Sequence, residues 1–123
     1  MKFILDDQSE GHPIEHYDQG EVTVSGTIYR DNCIVLPERI ISAWRPSSFF
    51  DLEMEDFSFL ADLTPEIVIL GTGATQHFPH PSLTEPLIKN RIGLEIMDTA
   101  AACRTYNILI SEGRRVAAAL FMI

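Results

Sequence analysis

Two glycines separated by one threonine, at 71–73, directly follow a run of four apolar residues at 67–70. A glycine-rich turn after a buried strand can present backbone amides to a phosphate group. A Walker loop, however, needs a lysine after its last glycine, and a dinucleotide fingerprint needs a third glycine and an immediate helix. Because Pro79 and Pro81 follow instead, the stretch predicts a tight turn with glycines at positive φ, not a nucleotide site.

The turn nevertheless lies where ligands bind in open α/β sheets, since the carboxyl ends of parallel strands meet at one edge. Strands predicted at 67–70 and 94–97 would end there and face a helix that starts at Thr99. Two interpretations stay open: a site for a small polar ligand or a carboxylate, and a helix start that Asp98 caps with its own side chain. The candidate ligand-binding residues are Gly71, Thr72, Gly73, Thr99, Cys103, Arg104 and Asn107.

Two histidine pairs have spacings that occur in metal sites, His12 with His16 and His77 with His80. Zinc sites need three or four protein ligands, and neither pair has a cysteine or a paired carboxylate beside it. We therefore predict no metal and no cofactor.

Cys103 is a candidate nucleophile, because a helix start and the adjacent Arg104 both favour a thiolate. Helical spacing instead places Cys103 on a buried face with Tyr106 and Ile110, and no histidine is close in sequence. We predict no catalytic residue and expect buried thiols at both Cys33 and Cys103. Redox sensing by Cys103 is a further hypothesis. Asn107 is a poor helix former in mid-helix, so its side chain is expected to bond a neighbouring loop or, alternatively, a ligand.

The elements that must position these residues differ between the two halves of the chain. In the first half apolar and polar residues alternate, which predicts a β-hairpin. Its predicted features are a possible bulge at Gly26, a turn at Asp31-Asn32 and a strand from Cys33 to Leu36. A further short strand is predicted from Arg39 to Trp44.

The second half predicts helices and strands in alternation. A short helix begins near Ser82, with Ser82 and Glu85 at capping-box spacing, and is closed by Gly93. The other predicted elements are a helix at 53–63, strands at 67–70, 94–97 and 116–121, and a long helix that runs from Thr99 to Glu112 and ends at Gly113. Together they predict one α/β domain over residues 1–123, with a mixed central sheet, helices on its faces and an N-terminal antiparallel hairpin layer.

Composition narrows the possible partners. The net charge of −9 repels phosphate backbones and anionic lipid, so nucleic-acid binding is disfavoured. The acidic residues form a solvated surface or, alternatively, a dock for a basic partner. The first ten residues, MKFILDDQSE, resemble neither a signal peptide nor a transit peptide, and the uncharged run at 116–123 is far shorter than the roughly twenty residues of a membrane span. We therefore expect a cytoplasmic protein that is not embedded in a membrane; its oligomeric state is not predicted.

Three motifs occur in order: PEIVILGTG at 65–73, GLEIMDTAAACRTYN at 93–107 and EGRRVAAAL at 112–120. The set resembles a small family of uncharacterised domains that includes mitochondrial complex I assembly factor three and an adipogenesis-associated protein. The resemblance implies a three-layer fold with a five-stranded mixed central sheet and implies no settled reaction. The chain as given has no targeting extension and is similar to the bacterial-type members.

Two functions of different class follow. The first is a non-enzymatic accessory or assembly factor that binds a protein partner, with Trp44, Phe49 and Phe50 as a docking edge. The alternative is a small-molecule or anion-binding protein, or an enzyme, that uses the crevice between Gly71–Gly73 and Thr99. The partner's identity is not predicted.

Overall fold

The computed structural model describes residues 11–123, which form eight strands and three α-helices. The prediction about a leader sequence falls on the first ten residues and lies outside this range. The strands are β1 Ile14–Asp18, β2 Glu21–Val24, β3 Thr27–Tyr29, β4 Cys33–Val35, β5 Ile40–Ile41, β6 Ile67–Thr72, β7 Gly93–Met97 and β8 Val116–Phe121. The helices are α1 Met54–Asp62, α2 Glu85–Lys89 and α3 Thr99–Ser111, with short 3-10 helices at Phe49–Asp51 and Pro81–Thr84.

The strands form two sheets. β1, β2 and β3 make a small antiparallel sheet, and the central sheet has the order β5-β4-β8-β6-β7. β6 pairs in parallel with β7 and β8, whereas β4 pairs antiparallel with β8 and β5. The predicted α/β architecture, with a five-stranded mixed sheet and an N-terminal antiparallel layer, is confirmed.

The central sheet is covered on both faces. On one face α3 contributes Cys103 and Tyr106 to a core that also contains the inward side chains of the small sheet. On the other face α1 and α2 contribute Phe57, Leu60 and Leu87. Every residue of β8 is buried, as expected for a strand between two apolar layers, and the prediction that 116–121 is a strand is confirmed.

The predicted pairing of the first hairpin is wrong. The two-residue turn is formed by Ser25 and Gly26, with φ of 52° and 79°, and it joins β2 to β3. Gly26 therefore lies in a turn and not at a bulge, and Asp31-Asn32 closes no hairpin. β4 instead pairs with β8, because all three of its residues are buried and need cover on both faces.

Three smaller predictions also need correction. The short helix ends at Lys89, four residues before Gly93, which is the first residue of β7. The amide of Ser82 bonds Nδ1 of His80 at 3.1 Å, so Ser82 and Glu85 form no capping box. The predicted strand from Arg39 to Trp44 is reduced to Ile40–Ile41, because Ala43 adopts a left-handed φ of 57° and Trp44 turns into the core.

Asn107 of α3 bonds the backbone of the small sheet with both ends of its side-chain amide. Asn107 Oδ1 accepts a hydrogen bond from the Ile14 amide at 2.8 Å, and its Nδ2 donates to the Ile14 carbonyl at 2.9 Å. The expectation that Asn107 bonds a neighbouring segment is confirmed, and this contact explains an asparagine in the middle of a helix.

Replacing Asn107 with alanine removes both bonds to the backbone of β1. We expect the free energy of unfolding to fall by about 1–3 kcal/mol, the usual range for a partly buried group that loses its partner. Urea denaturation measures this loss, and hydrogen exchange of the Ile14 amide should accelerate. Ser111→Ala is the matched control, since its exposed hydroxyl bonds only its own helix and its removal should stay within about 0.5 kcal/mol. Equal losses in the two variants would contradict this role for Asn107.

Candidate functional site

The carboxyl end of β6 is bonded directly to the start of α3. The Gly73 amide donates to Thr99 Oγ1 at 2.8 Å, and the Thr99 amide donates to the Gly73 carbonyl at 2.9 Å. Thr99 Oγ1 also donates to the Phe121 carbonyl, at the end of β8, at 2.6 Å. Thr99 is 1% exposed, so these bonds are shielded from water. The prediction that the glycine turn faces the helix start is confirmed.

The two glycines of the turn have different roles. Gly73 has a φ of +97°, as predicted. Gly71 lies inside β6 with an ordinary φ, so the prediction of positive φ is wrong there. A Cβ on Gly71 would lie 3.0 Å from Ala102 Cβ, Leu120 Cδ2 and Thr99 Oγ1. Gly71 is therefore needed because α3 approaches the strand too closely for a side chain.

The first amides of α3 find partners within the chain. Asp98 caps the helix, with its Oδ1 accepting from the Ala101 amide at 2.8 Å, and its carbonyl accepts from the Ala102 amide. The Thr99 amide is used by Gly73. This geometry favours a helix start capped by its own groups, and anion binding there stays a prediction.

The remaining candidate residues face the small sheet. Cys103 is buried on the inner face of α3, whereas Arg104 is exposed and donates to the Tyr17 hydroxyl at 2.8 Å. Asn107 bonds Ile14, as described above. The structure thus separates the candidates into two groups. Gly71, Thr72, Gly73 and Thr99 lie where the end of β6 meets the start of α3, and Cys103, Arg104 and Asn107 lie further along α3.

Both cysteines are free and buried. Burial raises the pKa of the Cys103 thiol to about 12, against a small opposing effect of Arg104. Burial, with a smaller contribution from Asp31, also raises the pKa of the Cys33 thiol to about 12. The prediction of buried thiols is confirmed, and the electrostatics oppose the thiolate that a nucleophile or a redox sensor needs.

A cleft of about 360 Å³ opens above the turn, and of the candidate residues Thr72 and Gly73 line it. Thr72 Oγ1 donates to the Thr75 carbonyl at 2.6 Å and accepts from the His77 amide at 3.1 Å, which fixes the loop that forms one wall. Phe49 and Phe50 also line the cleft. The cleft therefore combines a rigid polar loop with aromatic side chains.

His77 packs against both phenylalanines. The ring centroids of Phe49, Phe50 and His77 are 5.1 to 5.3 Å apart, and His77 Nε2 lies 3.0 Å from Thr75 Oγ1. We call Phe49, Phe50, His77 and Phe78 the aromatic rim. This cluster was not predicted, because its two pairs, Phe49-Phe50 and His77-Phe78, are far apart along the chain.

The predicted docking edge is partly wrong. Trp44 is 6% exposed and its ring lies 5.2 Å from that of Phe121, so it belongs to the core. In contrast, Phe50 is 79% exposed and Phe78 is 69% exposed. The apolar surface at this end of the molecule is therefore the aromatic rim.

Within residues 11–123 no three histidine, cysteine, aspartate or glutamate side chains come together in a way that could hold a metal ion. His12 Nδ1 bonds Ser25 Oγ at 2.9 Å, and His80 Nδ1 bonds Ser82 Oγ at 2.8 Å. No helix in the same part of the chain has the length and apolar character required to cross a membrane. The cytoplasmic location stays a prediction.

Comparison with known proteins places this architecture among uncharacterised domains. A family model described as "Protein of unknown function (DUF498/DUF598)" matches residues 14–121. NADH dehydrogenase (ubiquinone) 1 alpha subcomplex assembly factor 3 of Danio rerio is 37% identical, over 98% of this chain and 70% of that protein. An uncharacterised protein of Rhodobacter capsulatus is 36% identical, over 88% of this chain and 82% of its own length.

A crystal structure of a Bordetella parapertussis protein has the same fold. Its TM-score is 0.85 at 34% identity, and the match covers 91% of this chain and 96% of that one. The chain spans 58% to 70% of the length of the first curated relatives that it matches.

Replacing Thr99 with valine keeps the side-chain shape but leaves the Gly73 amide and the Phe121 carbonyl without this partner. Because each unpartnered buried group costs about 1–3 kcal/mol, we expect a loss of about 2–6 kcal/mol in the free energy of unfolding, measured in urea. Thr99→Ser retains the hydroxyl and should lose much less. Equal losses in the two variants would mean that the methyl group contributes as much as the hydroxyl, and would contradict the dominant role of these hydrogen bonds.

The native thiols should react slowly. A pKa of about 12, raised from 9.0, lowers the thiolate fraction of either cysteine at pH 8 by about a thousandfold. An aromatic disulfide reagent should label both cysteines rapidly in denaturing urea and neither in native buffer. Because the pKa of each thiol is higher in the folded protein than in the unfolded chain, the contribution of the protonated thiols to the free energy of unfolding is complete below pH 9. It is lost as the pH rises toward 12. Rapid native labelling of Cys103 would instead support redox sensing.

Proposed function

The chain belongs to the DUF498/DUF598 family of proteins of unknown function, and on that premise we propose that it is an accessory factor in the assembly of a larger protein complex. It acts by binding a protein partner and not by catalysing a reaction. The curated relatives named as NADH dehydrogenase assembly factors support this role, and a complex of that kind is the first candidate for the target.

The observation that carries the proposal is the exposure of the aromatic rim. Phe50 and Phe78 expose large apolar surfaces to water, and both adjoin His77: Phe50 packs against its ring, and Phe78 follows it in the chain. Contiguous apolar patches on a protein surface commonly mark interaction sites, and aromatic side chains often supply most of the binding energy at such sites. The packing of Phe49 and His77 holds the rim in place before binding, which lowers the entropy lost on association.

The charge of the chain agrees with a protein partner. A net charge of −9 repels nucleic acid and anionic lipid surfaces, whereas it attracts a protein with a basic surface. Electrostatic attraction of this kind raises the rate of association more than the affinity.

A second candidate function rests on the cleft beneath the rim. Its volume of about 360 Å³ falls at the lower end of the roughly 300–1,000 Å³ range of small-molecule sites. A ligand with a planar ring would stack on His77 and Phe49 and meet the polar loop at Thr72. In a thermal-shift screen, a metabolite that stabilises the wild type but not His77→Ala would favour this alternative over the accessory factor.

The accessory function predicts position-specific contacts in cells. A benzophenone amino acid in place of Phe50 should cross-link to a subunit of a multiprotein complex. The same group in place of Ile108, an exposed residue of α3, should not. Deleting the gene should reduce one complex, first of all NADH dehydrogenase, on native gels. A Phe50→Ser/Phe78→Ser variant should fail to restore it, whereas Ile108→Ser should succeed. Restoration by the rim variant to the wild-type level would overturn the proposed surface.

A further inference from the structure

A second opening, separate from the cleft above the glycine turn, lies beside Trp44. This groove of about 260 Å³ lies between β5 and α1, and Ile41, Ala43, Trp44 and Phe59 give it an apolar lining. We call it the Trp44 groove. Phe59 is 43% exposed although it lies on α1, whose opposite face is in the core. Sites for whole small molecules usually exceed roughly 300 Å³, so the groove is matched to one or two inserted side chains.

The indole of Trp44 has an unmet hydrogen bond. Its Nε1 is buried and has no acceptor within the described part of the chain. A buried donor without a partner costs about 1–3 kcal/mol, and nearly all such groups in proteins are satisfied. Because this nitrogen is buried, it is not itself exposed to the groove, but Trp44 lines the groove and its indole N–H resonance can report on binding there.

The charged residues that line the groove are one cation and two carboxylates, Arg45, Glu55 and Asp56. The nearby Arg45 is already engaged, because its Nη2 and Nε donate to the two Asp56 oxygens at 2.6 and 2.8 Å. Asp51 adds a second contact to Arg45, at 3.4 Å. Glu55 lines the groove, is exposed and has no ion-pair partner in residues 11–123.

The adjacent sheet edge is also open. β5 pairs with β4 on one side and with no strand on the other, as far as residues 11–123 are concerned. The backbone groups of an edge strand are available to an extended segment that lies beside it.

We propose that the Trp44 groove binds a basic amphipathic segment of a protein partner. One large apolar side chain of this segment fills the space between Trp44 and Phe59, and a neighbouring lysine or arginine pairs with Glu55. The inference rests on the proposed function only in taking the partner to be a protein.

Charge decides among the possible occupants. A second copy of this chain carries the same net charge of −9, and an anionic membrane surface is also negative, so both are repelled by the chain. A basic amphipathic segment is attracted to the chain, can pair with Glu55 and supplies the apolar group that the groove accommodates.

The experiment uses the single tryptophan of the chain as its reporter. The probe is an acetylated and amidated octapeptide that alternates lysine and leucine. In one control peptide glutamate replaces lysine, and in another serine replaces leucine. The lysine-leucine peptide should shift the Trp44 indole N–H resonance in a saturable manner, whereas both control peptides should leave it in place.

Variants separate groove binding from general attraction to a negative protein. Phe59→Ala and Glu55→Lys should each weaken the lysine-leucine peptide about tenfold, while Ile108→Ala, on the exposed side of α3, should bind as the wild type does. An unchanged indole resonance, equal binding of the glutamate peptide, or full affinity in Phe59→Ala would overturn the proposal. These outcomes are independent of the cross-linking test at Phe50, so the groove and the assembly function can fail separately.

Discussion

The close approach of α3 to the central sheet is the constraint on which the rest of the structure depends. It leaves little room for a side chain at position 71, because a Cβ there would lie 3.0 Å from atoms of Ala102, Leu120 and Thr99, which would have to shift. It is held by the hydroxyl of Thr99, which bonds the ends of β6 and β8 at once. Asn107 of the same helix also bonds the small sheet, so the placement of α3 determines where the small sheet lies on that face of the molecule.

The contacts at the start of α3 also limit what this end of the molecule can bind. A free helix start attracts anions because its amides point outward and lack partners. Here Gly73 and Asp98 use those amides, so the attraction is weakened where the sequence made it plausible. What the rim presents instead is apolar side chains, chiefly Phe50 and Phe78. The exposed surface at this end of the molecule is therefore aromatic, as the proposed accessory function requires.

Patterns that act over a few residues made much of the fold predictable. The uninterrupted apolar strand at 67–70, the cap at Asp98 and the stop at Gly113 all depend on neighbours in the chain, and the structure has each of them. The partner of β4 was not predictable in this way, since its pairing with β8 joins residues more than eighty positions apart. The stacking of His77 on Phe49 is equally non-local, and so is the burial of Trp44 against Phe121. Local spacing carries no information about such contacts, which is why the predicted docking edge contained one core residue.

The rim and the Trp44 groove are linked by one short segment. Trp44 contributes to the groove and Phe49 to the rim, and both rings pack against Phe121 at the end of β8. Between them, Arg45 is held by Asp56, whose carboxylate is only 3% exposed and is fixed in turn by the Glu53 amide at the start of α1. A bidentate pair with one buried partner is far more rigid than a surface ion pair, since losing the arginine would leave a buried carboxylate without its cation. The segment is thus tied to both β8 and α1, and a partner that binds the groove meets the rim in a fixed relative position. With a partner that binds both surfaces, as proposed, two modest contacts held in fixed geometry act together as one stronger contact.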